Sequence, residues 1–153
     1  MTDERTRAAM QVDHVGVDLW RAFRAYEERM FAGLRAAGYD VTTADSDVLA
    51  FVGPDGTRAV DLARSRRITK QAAQEQVARL VRRGYLDVGP DPNDRRAKRV
   101  TLTPRGEALM RDFEGIKRAL HAEVEEALGP DGLDTLRETL GAVRARLAAE
   151  PFR

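Results

Sequence analysis

The chain has 153 residues, 26 Lys+Arg against 25 Asp+Glu, no cysteine and a formal net charge of +1. That length suits one domain, and the missing cysteines exclude a disulfide framework, a cysteine zinc site and thiol-based redox sensing. The charged start Met1-Thr2-Asp3-Glu4-Arg5 lacks the apolar core of a signal peptide, and no apolar run approaches the roughly 18 residues of a membrane span, so a cytoplasmic protein with no membrane partner is expected.

Residues 8–37 read as a long helix, because Val12, Val15, Leu19, Phe23, Tyr26, Met30 and Leu34 recur at three- and four-residue steps along one face. Gly38 is its stop. Thr42 and Thr43 are candidate caps for a second helix carrying Val48, Leu49, Phe51 and Val52, which Gly53-Pro54 ends. Thr57 is read as the cap of a short third helix with Val60, Leu62 and Ala63 on its buried side. After a break at Arg66-Arg67, Thr69 caps a fourth helix whose inner face is Ala73, Val77, Leu80 and Val81, with Gly84 as its end. Tyr85–Val88 and Arg99–Leu102 are the two strands of a hairpin around the turn formers Gly89-Pro90-Asp91-Pro92-Asn93-Asp94. Thr103-Pro104 starts a fifth helix bearing Leu109, Phe113, Ile116, Leu120, Val124 and Leu128. Gly129-Pro130 interrupts it before a sixth, with Leu133, Leu136, Leu140, Val143 and Leu147 in strict three-four alternation.

The fold expected is mainly α with a small β-hairpin wing. The end helices, 8–37 and 104–150, are long for the chain and need a surface on which to bury their stripes. Packing across a two-fold axis in a homodimer provides one; packing onto the central unit of 42–103 is the alternative.

Charge is not spread evenly. Residues 58–105 hold 13 basic and 5 acidic residues, a net of +8, and both flanks are acidic. On charge alone this is either a surface for a polyanion or a set of solvated helix faces. The order helix, turn, helix, basic hairpin decides for the polyanion: it is a winged helix-turn-helix, and the partner it implies is double-stranded DNA. The major groove admits one helix, whose N-terminal residues reach the base edges. Those positions are Thr69, Lys70, Gln71 and Gln74, with Gln suited to adenine and Lys to guanine or phosphate. Glu75 is expected to pair with Arg79 four residues on. The hairpin tip, Asp94-Arg95-Arg96-Ala97-Lys98-Arg99, offers arginines to the negative potential of a narrow minor groove, and Asp94 is expected to hold one of them in a single rotamer.

The stretch Asp91-Pro92-Asn93-Asp94-Arg95-Arg96-Ala97-Lys98-Arg99-Val100-Thr101-Leu102-Thr103-Pro104-Arg105-Gly106 resembles the wing signature of MarR-type transcriptional regulators, and Ile68-Thr69-Lys70-Gln71-Ala72 resembles the start of their recognition helix. The resemblance implies a homodimer built from the terminal helices, a palindromic operator, a repressor more than an activator, and release by a small-molecule effector. It also implies that Arg96 enters the minor groove and that Asp94 is the aspartate of the wing motif. Arg66-Arg67 replaces a common Leu-Gly turn, which removes a glycine and offers two further phosphate contacts. A DNA-binding architectural protein without an effector is the rival reading.

No enzymatic reading is carried. There is no phosphate-binding glycine loop and no Gly-x-Ser-x-Gly elbow, and Asp91-Pro92-Asn93 fails as a calcium loop because arginines follow it. His14 and His121 are read as helix-face residues, and no metal or other cofactor is expected. Trp20 is assigned to core packing ahead of an effector pocket.

Overall fold

The computed structural model describes residues 14–149, Arg67 excepted, without the side chains of Arg95 and Ala149. The readings made for Val12, the rest of 8–13, Arg67 and residue 150 lie outside the described residues. The elements are α1 (Val15–Ala36), α2 (Thr43–Ala50), β1 (Thr57–Arg58), α3 (Ala59–Ser65), α4 (Lys70–Arg82), β2 (Leu86–Asp91), β3 (Asp94–Leu102) and α5 (Pro104–Ala149). The strands form one antiparallel sheet in the order β1-β3-β2, with Thr57 opposite Val100 and Leu86 opposite Leu102.

Local chemistry sets most boundaries. The His14 ring accepts from Gly16 N–H at the start of α1. Thr42 and Asp45 form a reciprocal capping box on α2. The Thr69 hydroxyl accepts from Ala72 N–H to open α4, and the chain leaves that helix through Gly84. Gly129 divides α5 into two arms, because its φ of 71° and ψ of 166° are open to glycine and strained for other residues. Pro130 then starts the second arm, where a missing N–H is not needed.

The core lies where α1, α2, α3, α4, the sheet and the first arm of α5 converge. Leu34, Leu49, Leu62, Leu80, Tyr85, Leu86, Val100 and Leu109 are buried there. Each large apolar side chain so buried contributes about 1.5–3 kcal/mol. The joint between sheet and α5 is tight. Thr103 N–H donates to Tyr85 O, the Thr103 hydroxyl donates to Gly84 O, and Gly106 N–H donates to the Thr103 hydroxyl. A Cβ on Gly106 would lie 2.2 Å from Tyr85 O, so only glycine lets the helix start this close to the strand.

Several expectations are corrected. Thr57 does not cap α3; it lies in β1, where its hydroxyl accepts from Gly53 N–H and donates to Phe51 O. Arg58 occupies the cap position, and its side chain makes no capping hydrogen bond to α3. Val60 is exposed while Leu62 and Ala63 are buried. The strands run further than expected, through Asp91 and from Asp94, leaving a tip of Pro92-Asn93. Trp20 is not core: it is 62% exposed. Among the described residues no helix is long and apolar enough to cross a membrane.

Candidate nucleic-acid interface

Helix α4 is two-faced. Ala73, Val77 and Leu80 are buried, and Lys70, Gln71, Gln74, Glu75, Ala78 and Arg82 are exposed on the other side. Thr69, Lys70, Gln71 and Gln74 therefore share the first turns of one outward face. Gln71 Nε2 donates to Glu75 Oε1 at 3.1 Å, which orients its amide along the helix. Lys70 and Arg82 make no ion pair among the described residues. Arg82 was not singled out from sequence, although its place eleven residues after Gln71, about three full turns, puts it on the same side.

In the hairpin, Arg96 and Lys98 are exposed on β3 and likewise without an ion pair among the described residues. Among the described side chains, Asp94 holds no wing arginine by its head. Its Oδ1 accepts from the backbone N–H of Arg96 at 3.0 Å, and its other oxygen is 3.8 Å from Arg58. It shapes the backbone on which Arg96 stands. The wing's anchor is Asp91, dismissed from sequence as part of a failed calcium loop. It is fully buried and accepts from Arg58 Nε at 2.7 Å, Asn93 N–H at 2.9 Å and Arg99 Nη2 at 3.2 Å. These hydrogen bonds, led by that from Arg58, outweigh burial and lower its pKa to about 2. Arg99 also donates to Asp55 O, so this fourth basic residue of the motif is internal structure.

Other arginines of the basic middle are committed inward. Arg79 pairs with Asp45, not with Glu75. Arg83 reaches Asp45 and Asp40. Arg66, counted from sequence among the DNA contacts, is turned into the lobe: it donates to Gln76 Oε1 and, at 3.2 Å, to Asp47 Oδ2. Its backbone is right-handed, φ −92°, while Arg67, which stands in the place of the common glycine, lies outside the described residues.

A sequence model of the MarR family matches residues 39–97, the segment that contains α2 through the hairpin tip. MarR from E. coli, solved as a mutant complexed with operator DNA, is 25% identical with a TM-score of 0.67 over 84% of this chain and 92% of that one. Residues 39–97 thus resemble the MarR family, and the chain shares the fold of MarR. The transcriptional repressor CouR, solved bound to a 23-mer DNA duplex, shares the fold at 24% identity, TM-score 0.67, over 86% of this chain and 93% of that one. So does a mutant of MepR from S. aureus bound to an oligodeoxyribonucleotide, at 17% identity and TM-score 0.63, over 89% of this chain and 99% of that one. No curated protein matches the sequence. The segment from α2 to β3 is the helix-helix-hairpin lobe, with α1 before it and α5 after it in the chain.

Proposed function

We propose that this protein is a MarR-type homodimeric, sequence-specific regulator of transcription, a repressor that binds a palindromic operator and is released by a small-molecule effector. The observation that carries the DNA-binding part is the sorting of cations in the lobe. Arg58, Arg66, Arg79, Arg83 and Arg99 are engaged by internal carboxylates, while Lys70, Arg82, Arg96 and Lys98 stand exposed on the recognition helix and wing. In this reading Gln71 and Gln74 read base edges in the major groove, and Lys70 reaches phosphate beside them. Thr69 supports the first turn, and Arg96, Lys98 and Arg95 clamp the adjacent minor groove and its phosphates. The operator-bound relatives support the same partner.

The dimer rests on unburied apolar rows. Val15 and Phe23 on α1, and Leu128, Leu136, Leu140 and Leu147 on α5, are exposed in the single chain. Of these, Phe23, Leu128, Leu136 and Leu140 border, with Leu19, Tyr26, Leu120 and Val124, an apolar groove of about 810 Å³ between the two elements. A second copy contributing the same helices would cover them and set two recognition helices about 34 Å apart, one turn of duplex. An effector that binds better to a dimer of different lobe spacing would release DNA by population shift, by as much as its affinities for the two states differ.

The test is the salt dependence of duplex binding. Four exposed cations per protomer engage about eight phosphates per dimer, so log affinity against log salt is expected to slope near −7. A flat response would remove the electrostatic basis of the reading.

A further inference from the structure

Asp45 lies at the N-terminus of α2, outside every element assigned to DNA contact, yet its side chain is fully buried. It serves two structures at once. Within α2 it completes the capping box: its Oδ2 accepts from Thr42 N–H at 3.0 Å and from the Thr42 hydroxyl at 2.8 Å. Toward the recognition helix, its Oδ1 accepts from Arg79 Nε at 3.1 Å and Nη2 at 2.5 Å, and its Oδ2 accepts from Arg83 Nη1 at 3.3 Å. Arg83 is also held by the side chain of Asp40 at 2.6 Å and by that residue's carbonyl. Arg79 lies within α4 and Arg83 is its cap residue, so both grips are on the half of the helix away from the base-reading turn.

From this geometry we infer that Asp45 is a positioning residue for DNA recognition, fixing the rotation and pitch of α4 relative to the lobe through Arg79 and Arg83. Two arginines on one carboxylate define a plane as well as a distance, because each guanidinium is a rigid fork. Apolar packing of Ala73, Val77 and Leu80 alone leaves the helix freer to roll, since dispersion contacts are weakly directional. A small roll about the axis moves Gln71 and Gln74 across base edges while Lys70 and the wing still find phosphate. The arrangement thus acts on sequence discrimination more than on general affinity. Burial by itself would raise the Asp45 carboxyl pKa; the hydrogen bonds from Thr42 and Arg79 overcome it and leave the pKa below the ordinary value, so the charge persists at neutral pH.

This inference rests on the DNA-regulator reading, and its test separates the two. The probes are the duplex most enriched from a random pool by the wild type and a scrambled duplex of equal length and composition. Asp45→Asn keeps an acceptor for the cap and loses the charge; Arg79→Gln and Arg83→Gln remove the grips one at a time. All are measured well below their thermal midpoints. A purely structural role lowers the active fraction and weakens both duplexes alike. The expected result is a loss of about tenfold or more on the enriched duplex with little change on the scrambled one. If Asp45→Asn does not fold, the two arginine variants carry the same comparison. Variants that discriminate as well as the wild type overturn this inference alone. A wild type that enriches no sequence overturns both.

Discussion

Arg58 and Asp91 are 33 residues apart in the chain, and their side chains meet inside the wing: the arginine Nε donates to the buried carboxylate at 2.7 Å. This contact ties β1 to the far end of β2 and so fixes where the hairpin tip stands. Its acid dependence follows from the lowered pKa. A carboxyl held at about 2, against an ordinary 3.8, stabilises the fold fully above about pH 4–5 and loses that contribution as pH falls through 2. Thermal midpoints between pH 6 and pH 2 should therefore fall more steeply for the wild type than for Asp91→Asn. The variant should be the less stable of the two at neutral pH. Parallel curves would mean that the carboxylate is not the wing's anchor.

Gly106 touches the backbone of Tyr85 too closely for any side chain. Gly106→Ala must push the start of α5 away from the strand, breaking the hydrogen bonds of Thr103. A loss of about 1–3 kcal/mol or more is expected in urea titrations, with an unchanged slope. A variant as stable as the wild type would show that this joint is not rigid.

Base reading and phosphate clamping should separate by mutation. Arg96→Ala should weaken binding to all duplexes and leave the dimer intact, whereas Gln71→Ala should relax preference at one position of each half-site by about 1–3 kcal/mol. Competition assays across single-position variants of the enriched duplex make the comparison. A uniform loss for Gln71→Ala would take that side chain out of base readout.

Much of this was legible in the sequence, for identifiable reasons. The α1 and α5 stripes, the Thr69 cap and the Gly129-Pro130 break are local signals, set by periodicity or by a single residue's backbone chemistry. The outward polar face of α4 followed from the same periodicity. What was not legible is which charges find each other across the fold. Arg66 and Arg99 look like DNA contacts when counted along the chain, but Asp47 and Asp91 lie 19 and 8 residues away in sequence and take them inward. Arg79, which helix spacing offered to Glu75, pairs instead with the buried carboxylate of Asp45, 34 residues away. Thr57 misled because a threonine before a short helix fits a cap and a strand end equally well.

The exposed rows on α1 and α5 make the dimer testable apart from DNA. Leu136→Glu with Leu140→Glu places two charges on the second arm of α5, where burying an unpaired carboxylate is strongly unfavourable. Sedimentation should shift from dimer toward monomer, and binding to a single half-site should survive better than binding to the full palindrome. An unchanged dimer would place the interface elsewhere.

The central claim is tested most directly by selecting bound fragments from random duplexes with the wild-type protein. The account predicts enrichment of an inverted repeat whose half-sites are centred about one helical turn, roughly 34 Å, apart. Recovery of no sequence, or of a single asymmetric site with no repeat, would contradict it.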